Sequence, residues 1–553
     1  MLFRSPVKQA CVSMPVLSSE QTRAYNEIFA TLRDKSVTLL HGVTSSGKTE
    51  IYIHIIDAIL KQGRQVLYLV PEIALTTQLT DRLQRVFGDK LLIYHSRFSD
   101  NERVELWQKL LRSREPRVVL GVRSSVFLPF HDLGFVIVDE EHETSYKQYD
   151  PAPRYHARNA AIVLAQMYGA KVLLGSATPA VESYYNALLG KYGLVELFTR
   201  YANNPLPDVR VVDMRDQRRK RLVEGNFSEP LLNEMRGALK REEQVILFQN
   251  RRGFAPMVEC RECAWIPKCT QCDVSLTYHK RDNRLVCHYC GYSCEVPRMC
   301  PACLQPTIEV RGFGTERIEE DVETLFADVP LARMDMDTTR SRNAYQEIID
   351  DFAAGKSKIL IGTQMVTKGL DFDRVSIVGI LSADSMLSFP DFRAHERAYQ
   401  MMSQVAGRSG RGKSRGVVLL QTSQPELPLI SQVINHDYVA MYNDQLSQRE
   451  QYGYPPFTRL IYIYLKHRDE AILDTLSHRY ATMLRKVFGE RVLGPDNPPV
   501  ARIQSLYIRK IMLKVEISAS MAQVKELLRQ IYERSLTDDN FKSLTLYYDV
   551  DPM

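Results

Sequence analysis

One motif organises this chain: His41-Gly42-Val43-Thr44-Ser45-Ser46-Gly47-Lys48-Thr49. It fits the pattern G-x-x-x-x-G-K-[ST], in which backbone N–H groups surround a phosphate chain. The apolar run at 37–40 predicts a buried strand before the motif, and the apolar segment at 51–60, free of proline and glycine, predicts a helix after it. A loop between a strand and a helix offers backbone donors and the positive end of the helix dipole to an anion. The motif therefore predicts a nucleotide phosphate site, with a chance glycine-rich turn as the alternative.

The residue types in this motif predict contacts to a phosphate chain and to Mg²⁺. Lys48 is expected to reach the β- and γ-phosphates, and the Thr49 hydroxyl is expected to bind Mg²⁺. Gln21, just upstream, is a candidate to read adenine through its amide, although a surface glutamine is an equal alternative. The predicted nucleotide-binding residues here are Gln21, Gly42, Val43, Thr44, Ser45, Ser46, Gly47, Lys48 and Thr49.

Length and composition limit the possible classes of protein. A chain of 553 residues is long enough for several domains. The net charge of +6 is too small to indicate nucleic-acid binding by itself, so a DNA-binding surface would have to be local. We find neither a signal-peptide pattern nor a run approaching the roughly 18 apolar residues of a membrane span, which predicts a cytoplasmic protein with no membrane segment.

The first part of the chain, 17–200, alternates between predicted strands and helices. Unbroken apolar runs followed by polar motifs favour a doubly wound parallel sheet, with ligands at the carboxyl ends of its strands. Asp139 ends one such run and is expected to hold Mg²⁺ through a water, while Glu140 orients and deprotonates the attacking water. The alternative for this acidic pair is a solvated loop.

Aromatic and basic residues interleave directly after the acidic pair. Stacking surfaces combined with phosphate-neutralising cations suit single-stranded nucleic acid. A packed loop with outward charges is the alternative. The predicted DNA contacts are Tyr146, Lys147, Tyr149, Arg154, Tyr155 and Arg158.

A proline- and arginine-rich segment, 201–225, predicts a linker to a second lobe at 226–440. An insertion at 258–306 interrupts that lobe and contains four C-x-x-C pairs. Eight thiolates suit two tetrahedral Zn²⁺ ions, with iron–sulfur clusters as the rival, and the spacing alone leaves the pairing open. The predicted ligands are Cys260, Cys263, Cys269, Cys272, Cys287, Cys290, Cys300 and Cys303.

Two further motifs in the second lobe, GTQMVTKGLDF at 362–372 and QVAGRSGR at 404–411, predict contributions to the same nucleotide. Arg408 and Arg411 lie three residues apart and share a face if helical, which suits arginine fingers directed at a γ-phosphate. We assign Gln404 to the catalytic set, with Lys48, Asp139, Glu140, Arg408 and Arg411, and Asp371 to the nucleotide site. After 441, the predicted order β-α-β-β-α-β indicates a small ferredoxin-like α+β domain.

Taken together, GVTSSGKT, PEIALTTQ, GVRSSVF, DEEH, GSATP, FQNRRGF, GTQMVTKGLDF and QVAGRSGR resemble a superfamily-2 helicase with two RecA-like lobes. With the eight-cysteine insertion, the chain resembles the primosomal replication-restart helicases, the PriA (primosomal protein N′) family, over roughly 17–553. The predicted fold class is α/β: two RecA-like doubly wound parallel-sheet lobes, a two-zinc insertion in the second, and a small C-terminal α+β domain.

The resemblance implies an ATP-dependent DNA helicase of 3′→5′ polarity that acts on stalled forks and starts primosome assembly. It implies single-stranded and forked DNA, single-strand-binding protein and other primosome proteins as partners, a monomer, and a place at forks in the nucleoid. It also implies nested zincs, the outer on Cys260, Cys263, Cys300 and Cys303, the inner on the other four cysteines.

The family carries a DNA-binding region ahead of the helicase, and only about sixteen residues, 1–16, precede it here, so we expect an N-terminal remnant. A DNA-binding primosome scaffold with a vestigial ATPase is the alternative function. An RNA helicase would share the lobes but not the zinc insertion.

Overall fold

The computed structural model describes residues 14–553 except for 72–76, 96–97, 201–205, 251–256, 271–274, 280–282, 288–290, 312–314, 336–337, 340–343, 368–371, 411–414 and 504. Within these residues, the chain forms two α/β lobes, a cysteine-rich insertion and a C-terminal α+β domain. Among the described helices, none combines the length and apolar character needed to cross a membrane.

Lobe 1 has a seven-stranded sheet in the order β3-β4-β2-β5-β6-β1-β7, and each neighbouring pair is parallel. Its central strands are buried along nearly their whole length, which explains their unbroken apolar runs. The predicted doubly wound sheet is confirmed. Its elements are α1 (Ser19–Asp34), β1 (Val37–Gly42), α2 (Lys48–Lys61), β2 (Gln65–Leu69), α3 (Thr77–Phe87), β3 (Leu91–Tyr94), α4 (Asp100–Arg112), β4 (Val118–Gly121), β5 (Leu133–Asp139), α5 (Ala157–Met167), β6 (Lys171–Ser176), α6 (Val181–Leu188) and β7 (Gly193–Leu197).

Lobe 2 has a six-stranded parallel sheet in the order β17-β18-β11-β19-β20-β8. Its elements outside the insertion are β8 (Asp208–Asp213), α7 (Met214–Arg219), β9 (Val223–Glu224), β10 (Phe227–Ser228), α8 (Glu229–Lys240), β11 (Gln244–Phe248), α9 (Thr315–Leu325), β17 (Leu331–Met334), α10 (Ala344–Ala353), β18 (Ile359–Gly362), β19 (Val375–Ile380), α11 (Asp384–Leu387), α12 (Ala394–Ala406), β20 (Val417–Thr422) and α13 (Pro428–Ile434).

The position of β8 corrects one prediction. We predicted a linker over 201–225, but 208–213 pairs along its full length with β20 as the edge strand of the lobe 2 sheet. Val209 and Val212 are buried against the lobe. The neighbouring prolines and arginines masked this short apolar pattern.

The insertion is closed at its base by an antiparallel pair, β12 and β16. Between them lies a three-stranded antiparallel sheet, β13-β14-β15. The bounds are β12 (Met257–Cys260), β13 (Thr277–His279), β14 (Arg284–Val286), β15 (Ser293–Glu295) and β16 (Ile308–Arg311).

The C-terminal domain follows helix α14 and has the antiparallel order β22-β24-β21-β25, with β23 added beside β24. This order confirms the predicted ferredoxin-like arrangement. Along β21, Ile461 and Ile463 face α15 and α16, while Leu460 and Tyr462 face the cysteine-rich insertion, as the period of two requires. The bounds are α14 (Tyr438–Gln451), β21 (Thr458–His467), α15 (Glu470–Phe488), β22 (Val492–Asp496), β23 (Arg502–Ile503), β24 (Leu506–Glu516), α16 (Met521–Ser535) and β25 (Thr545–Val550).

Short 3₁₀ helices occur between these elements, at Gly88–Lys90, Arg123–Phe127, Thr144–Tyr146, Gln364–Thr367, Gly489–Arg491 and Asp539–Ser543.

Candidate nucleotide and zinc sites

The phosphate loop connects β1 to α2, and α2 begins at Lys48. The Lys48 Nζ atom donates hydrogen bonds to the carbonyl oxygens of Gly42, at 2.7 Å, and Val43, at 3.2 Å. The lysine therefore lies over the loop, where its ammonium can meet a phosphate. Thr49 follows it in the first turn of the helix, so the predicted Mg²⁺ ligand lies beside the predicted phosphate ligand.

Gln21 of α1 is hydrogen-bonded to the backbone of the phosphate loop. Its side chain is buried, and its Nε2 atom donates to the carbonyl oxygens of Ser46, at 3.2 Å, and Gly47, at 3.4 Å. Its Oε1 atom accepts from the Ser18 N–H in a capping box at the start of α1. The amide predicted to read adenine is thus engaged with the loop backbone, and adenine contact stays a prediction.

Gly47 is required by this packing. It has a φ of +81°, and a Cβ atom there would lie 2.0 Å from Gln21 Nε2. Glycine is therefore needed here for two reasons: it adopts the left-handed backbone without strain, and it has no Cβ atom to clash with the Gln21 amide.

Asp139 ends β5 and is held by two tyrosines that the sequence interpretation missed. Tyr52, from α2, donates to Oδ1 at 3.1 Å, and Tyr68, from β2, donates to Oδ2 at 3.3 Å. The Glu140 N–H also donates to Oδ1, at 3.1 Å. Burial, together with the neighbouring Glu140 carboxylate, raises the pKa of Asp139 to about 6. A tyrosine among the isoleucines of α2, one turn after Lys48, was the signal available for Tyr52.

Glu140 has a φ of +47°, in the left-handed region that a side chain rarely adopts. Its Oε2 atom accepts from Gln404 Nε2 of lobe 2 at 3.3 Å. Gln404 Nε2 also lies 2.9 Å from His142 Nε2, and His142 Nδ1 lies 2.7 Å from Ser176 Oγ. The structure therefore brings together Glu140 and Gln404, which were predicted to be catalytic, with His142 and Ser176.

One face of α12 carries the contact between the lobes. Glu396, Gln400 and Gln404 are spaced by four residues, so they align along that face. The Glu396 carboxylate accepts from Val181 N–H at 2.9 Å, and Gln400 donates to the Thr178 carbonyl oxygen at 3.3 Å. Residues 178–181 of lobe 1, which include the end of the G-S-A-T-P motif, are thus bound at successive turns by a lobe 2 helix.

Three buried charged side chains, Arg393, Glu396 and Arg449, and the half-buried Glu182 join both lobes to α14. Arg449 of α14 contacts Glu396 at 2.6 Å and Glu182 of lobe 1 at 3.3 Å, and Arg393 contacts Glu182 at 2.5 Å. Burial alone would raise the pKa of Glu182. The nearby Arg393 and Arg449 guanidinium groups have the larger effect and lower this pKa to about 2. This cluster has no motif signature, because its members lie far apart in the sequence.

The end of α12 meets the phosphate loop. A Cβ atom at Gly407 would lie 2.7 Å from Thr44 Cγ2. Arg200 bridges the same two residues, donating to the Thr44 carbonyl at 3.3 Å and the Gly407 carbonyl at 3.4 Å. Arg408 directly follows Gly407 and so begins beside the loop, while two other assigned residues, Arg411 and Asp371, lie outside the described residues.

Several residues of the aromatic-rich segment that were predicted to contact DNA have partners inside the protein. Tyr146 is buried and donates to the carbonyl oxygens of Leu69 and Asp139, and Arg158 is paired with Glu141 at 2.7 Å. Internal partners take the polar ends of both side chains in this structure, and DNA contact by these two residues stays a prediction.

The third buried candidate in this segment, Lys147, is bound to the C-terminal domain. It pairs with Asp549 of β25 at 2.7 Å and donates to the Val550 carbonyl oxygen at 2.8 Å. In this conformation, Lys147 therefore does not present its charge to DNA. Of the other candidates, Tyr149 donates to the Met553 carbonyl oxygen, the Arg154 guanidinium lies 3.8 Å from the centre of the Tyr547 ring, and Tyr155 packs on Phe127.

Four cysteines of the insertion form a candidate metal site. The sulfur atoms of Cys260, Cys263, Cys300 and Cys303 all lie within 4.8 Å of one another. The edge of a ZnS₄ tetrahedron is about 3.8 Å for Zn–S distances of about 2.3 Å, so the set fits zinc. The outer set implied by the resemblance is thus supported by geometry. Of the inner set, Cys269 and Cys287 are buried in one core, and Cys272 and Cys290 lie outside the described residues.

Comparison with known proteins first gives the class. The family model for DEAD/DEAH box helicases matches residues 18–187, and that for the helicase conserved C-terminal domain matches 313–413. With two parallel-sheet lobes meeting at a phosphate loop, the chain is a helicase-family protein. A model for the PriA DNA helicase Cys-rich region matches 269–294, and one for the primosomal protein N C-terminal domain matches 450–553.

Curated relatives give the family. The replication restart protein PriA of Haemophilus influenzae is 40% identical over 521 residues, covering 94% of this chain and 70% of that protein. Those of Bacillus subtilis and Treponema pallidum are 40% and 38% identical, each over 97% of this chain, and over 66% and 80% of their own lengths. The chain therefore belongs to the PriA replication restart family, and it spans about two thirds of the length of the Bacillus relative.

Proposed function

We propose that this chain is an ATP-dependent DNA helicase of 3′→5′ polarity, which recognises and remodels stalled replication forks and starts primosome assembly. The observation that carries the proposal is the meeting of the phosphate loop with Gly407 and of Glu140 with Gln404, because a nucleotide site shared by two lobes lets hydrolysis move one lobe against the other. The match to the PriA DNA helicase Cys-rich region and the replication restart relatives support DNA in replication as the substrate.

In lobe 1, Lys48 would bind the β- and γ-phosphates. Thr49 and Asp139 would hold Mg²⁺, which when bound neutralises charge on those phosphates. A hydroxyl and a carboxylate are the hard oxygen ligands that this ion prefers. Among the described residues, Asp139 Oδ2 accepts a single hydrogen bond, so it keeps a lone pair for a metal-bound water.

Glu140 would then orient the attacking water and accept its proton. Gln404, at 3.3 Å from the Glu140 carboxylate, would fix that carboxylate from the opposite lobe. Arg408 and Arg411 would stabilise the charge on the γ-phosphate in the transition state. Since Gln404 shares its helix face with Gln400 and Glu396, a change at the nucleotide would pass to the contacts with 178–181.

Outside the motor, we propose two Zn²⁺ ions in the insertion and the domain bounds 17–200, 226–440 with 258–306 inserted, and 441–553, with strand 208–213 joined to lobe 2. Tyr149, Arg154 and Tyr155 remain proposed contacts for single-stranded or forked DNA. Single-strand-binding protein and other primosome proteins are the proposed partners of a monomer that works in the cytoplasm, at forks in the nucleoid.

The test is ATP hydrolysis with and without forked DNA, using Lys48→Ala as the inactive control. We expect strong stimulation by DNA, lost in the variant, and unwinding only of duplexes with a 3′ single-stranded tail. DNA binding without stimulated turnover would contradict the proposal and favour a primosome scaffold. Unwinding from a 5′ tail would contradict the polarity alone.

A further inference from the structure

The Asp139 carboxylate is held by two tyrosines, Tyr52 and Tyr68, which lie outside the Asp139-Glu140-Glu141-His142 motif. The Tyr52 and Tyr68 side chains are fully buried, and their rings meet edge to face with centroids 5.6 Å apart. Each hydroxyl donates to a different oxygen of Asp139, at 3.1 Å and 3.3 Å. The two residues come from different elements, α2 and β2, so the chain brings two phenols to one carboxylate from two sides.

The local backbone makes room for this arrangement. Gly175 of β6 is the register partner of Asp139 on β5. A Cβ atom at Gly175 would lie 1.8 Å from the Tyr52 hydroxyl oxygen, so any side chain there would displace the phenol. Glycine at this strand position is therefore needed for the Tyr52–Asp139 hydrogen bond.

The hydrogen bonds also decide which oxygen remains available. Oδ1 accepts from both the Tyr52 hydroxyl and the Glu140 N–H, so its two lone pairs are used. Oδ2 accepts from Tyr68 and, among the described residues, from no other donor. The carboxylate thus cannot rotate without breaking hydrogen bonds, and it presents one remaining lone pair in a fixed direction.

We propose that Tyr52 and Tyr68 are positioning residues, which orient the Asp139 carboxylate so that Oδ2 receives the water shell of the nucleotide-bound Mg²⁺. This inference rests on the proposed function, since it needs Asp139 to serve a metal–nucleotide complex. Partners that orient a metal-binding carboxylate typically contribute about 10- to 100-fold to metal affinity or activity.

A purely structural role is the competing explanation, because a buried phenol needs some acceptor. The two roles differ in what a Tyr→Phe change does to Mg²⁺. A structural phenol affects folding stability alone, whereas a positioning phenol changes the Mg²⁺ dependence of nucleotide binding in a protein that remains folded.

The experiment titrates Mg²⁺ against the full chain with a fluorescent, non-hydrolysable ATP analogue and reads the affinity for the analogue. We expect Tyr52→Phe and Tyr68→Phe each to raise the Mg²⁺ concentration for half-maximal binding by about tenfold or more, with affinity in EDTA unchanged. The double variant should lose less than the product of the two effects, because both act through one carboxylate. Tyr168→Phe, which removes a hydroxyl bound to the Phe130 carbonyl in the same lobe, should have no effect.

Thermal unfolding of each variant verifies that it is folded, and Tyr68→Phe tests the inference alone if Tyr52→Phe does not fold. Unchanged Mg²⁺ dependence in folded Tyr→Phe variants, with clear dependence in the unaltered chain, would overturn the inference and leave the proposed function intact. An unaltered chain whose analogue binding ignores Mg²⁺ would overturn both.

Discussion

Replacing Gly407 with alanine separates the two lobes at the nucleotide site with the smallest possible change. Gly407 has a φ of −62°, which alanine adopts freely, so the effect is steric. The new Cβ would lie 2.7 Å from Thr44 Cγ2 and 2.9 Å from Thr44 Cβ, whereas ordinary contacts begin at 3.4 Å. The lobe 2 segment must therefore retreat by about 0.7 Å. A misplacement of about 1 Å can cost about 100-fold in rate, so we expect kcat for ATP to fall by about 10- to 100-fold.

The assay compares DNA-stimulated kcat with the affinity for ATP. Because lobe 1 holds the phosphate loop, affinity should change by less than about threefold while kcat falls, which corresponds to less than about 0.7 kcal/mol. Gly237→Ala, in a lobe 2 helix, is the matched control, since among the described residues a Cβ there meets only the Arg241 side chain, at 3.3 Å. Full turnover in Gly407→Ala would refute the close approach of the lobes. A loss of turnover in Gly237→Ala as well would show that the effect is not specific to the site.

Three further changes test other parts of the account. Elemental analysis should find about two zinc ions per chain and about one in Cys260→Ala, and iron in the unaltered chain would contradict the zinc interpretation. Because the pKa of Asp139 is raised to about 6, kcat/KM for ATP should fall as the pH drops through 6, and a flat rate profile would contradict the role of this carboxylate. The pKa in the folded state also exceeds the unfolded value, so protonation of Asp139 should make the fold more stable as the pH falls from about 6 to 4. Lys147→Met should leave Asp549 buried and unpaired, lower the free energy of unfolding by about 3 kcal/mol and expose the C-terminal domain to protease. Lys356→Met, at an exposed ion pair, should change neither property. Equal protease resistance of the two variants would contradict the contact between Lys147 and the C-terminal domain.

The architecture was predictable where one short pattern determines it. Continuous apolar runs such as 135–138 gave buried parallel strands, and the residues that follow them, including Asp139, lie at the carboxyl ends as expected. The C-terminal order was predictable for the same reason, because alternation along 459–466 separates its two faces. The strand at 208–213 was missed, because the prolines and arginines around it obscure its short apolar pattern, and its pairing with β20 is visible only in the fold.

Pairings between residues that are distant in sequence could not be predicted. The composition of 143–158 suits nucleic acid, but Lys147 is neutralised by Asp549, about four hundred residues later, and nothing local indicates that pairing. Arg449 likewise pairs with residues that are distant in sequence, Glu182 of lobe 1 and Glu396 of lobe 2. Charge patterns indicate that a partner is required, and only the fold decides whether it is DNA or protein.

The most direct test of the shared nucleotide site is single-turnover ATP hydrolysis by Arg408→Ala in the presence of forked DNA. An arginine donated by the second lobe contributes about 10³- to 10⁵-fold to hydrolysis in related chemistry, so we expect a loss of at least about 10³-fold with nucleotide binding retained. Arg415→Ala, at an exposed arginine of the same region, should hydrolyse ATP normally. Unchanged hydrolysis in Arg408→Ala would contradict the claim that the two lobes form one active site.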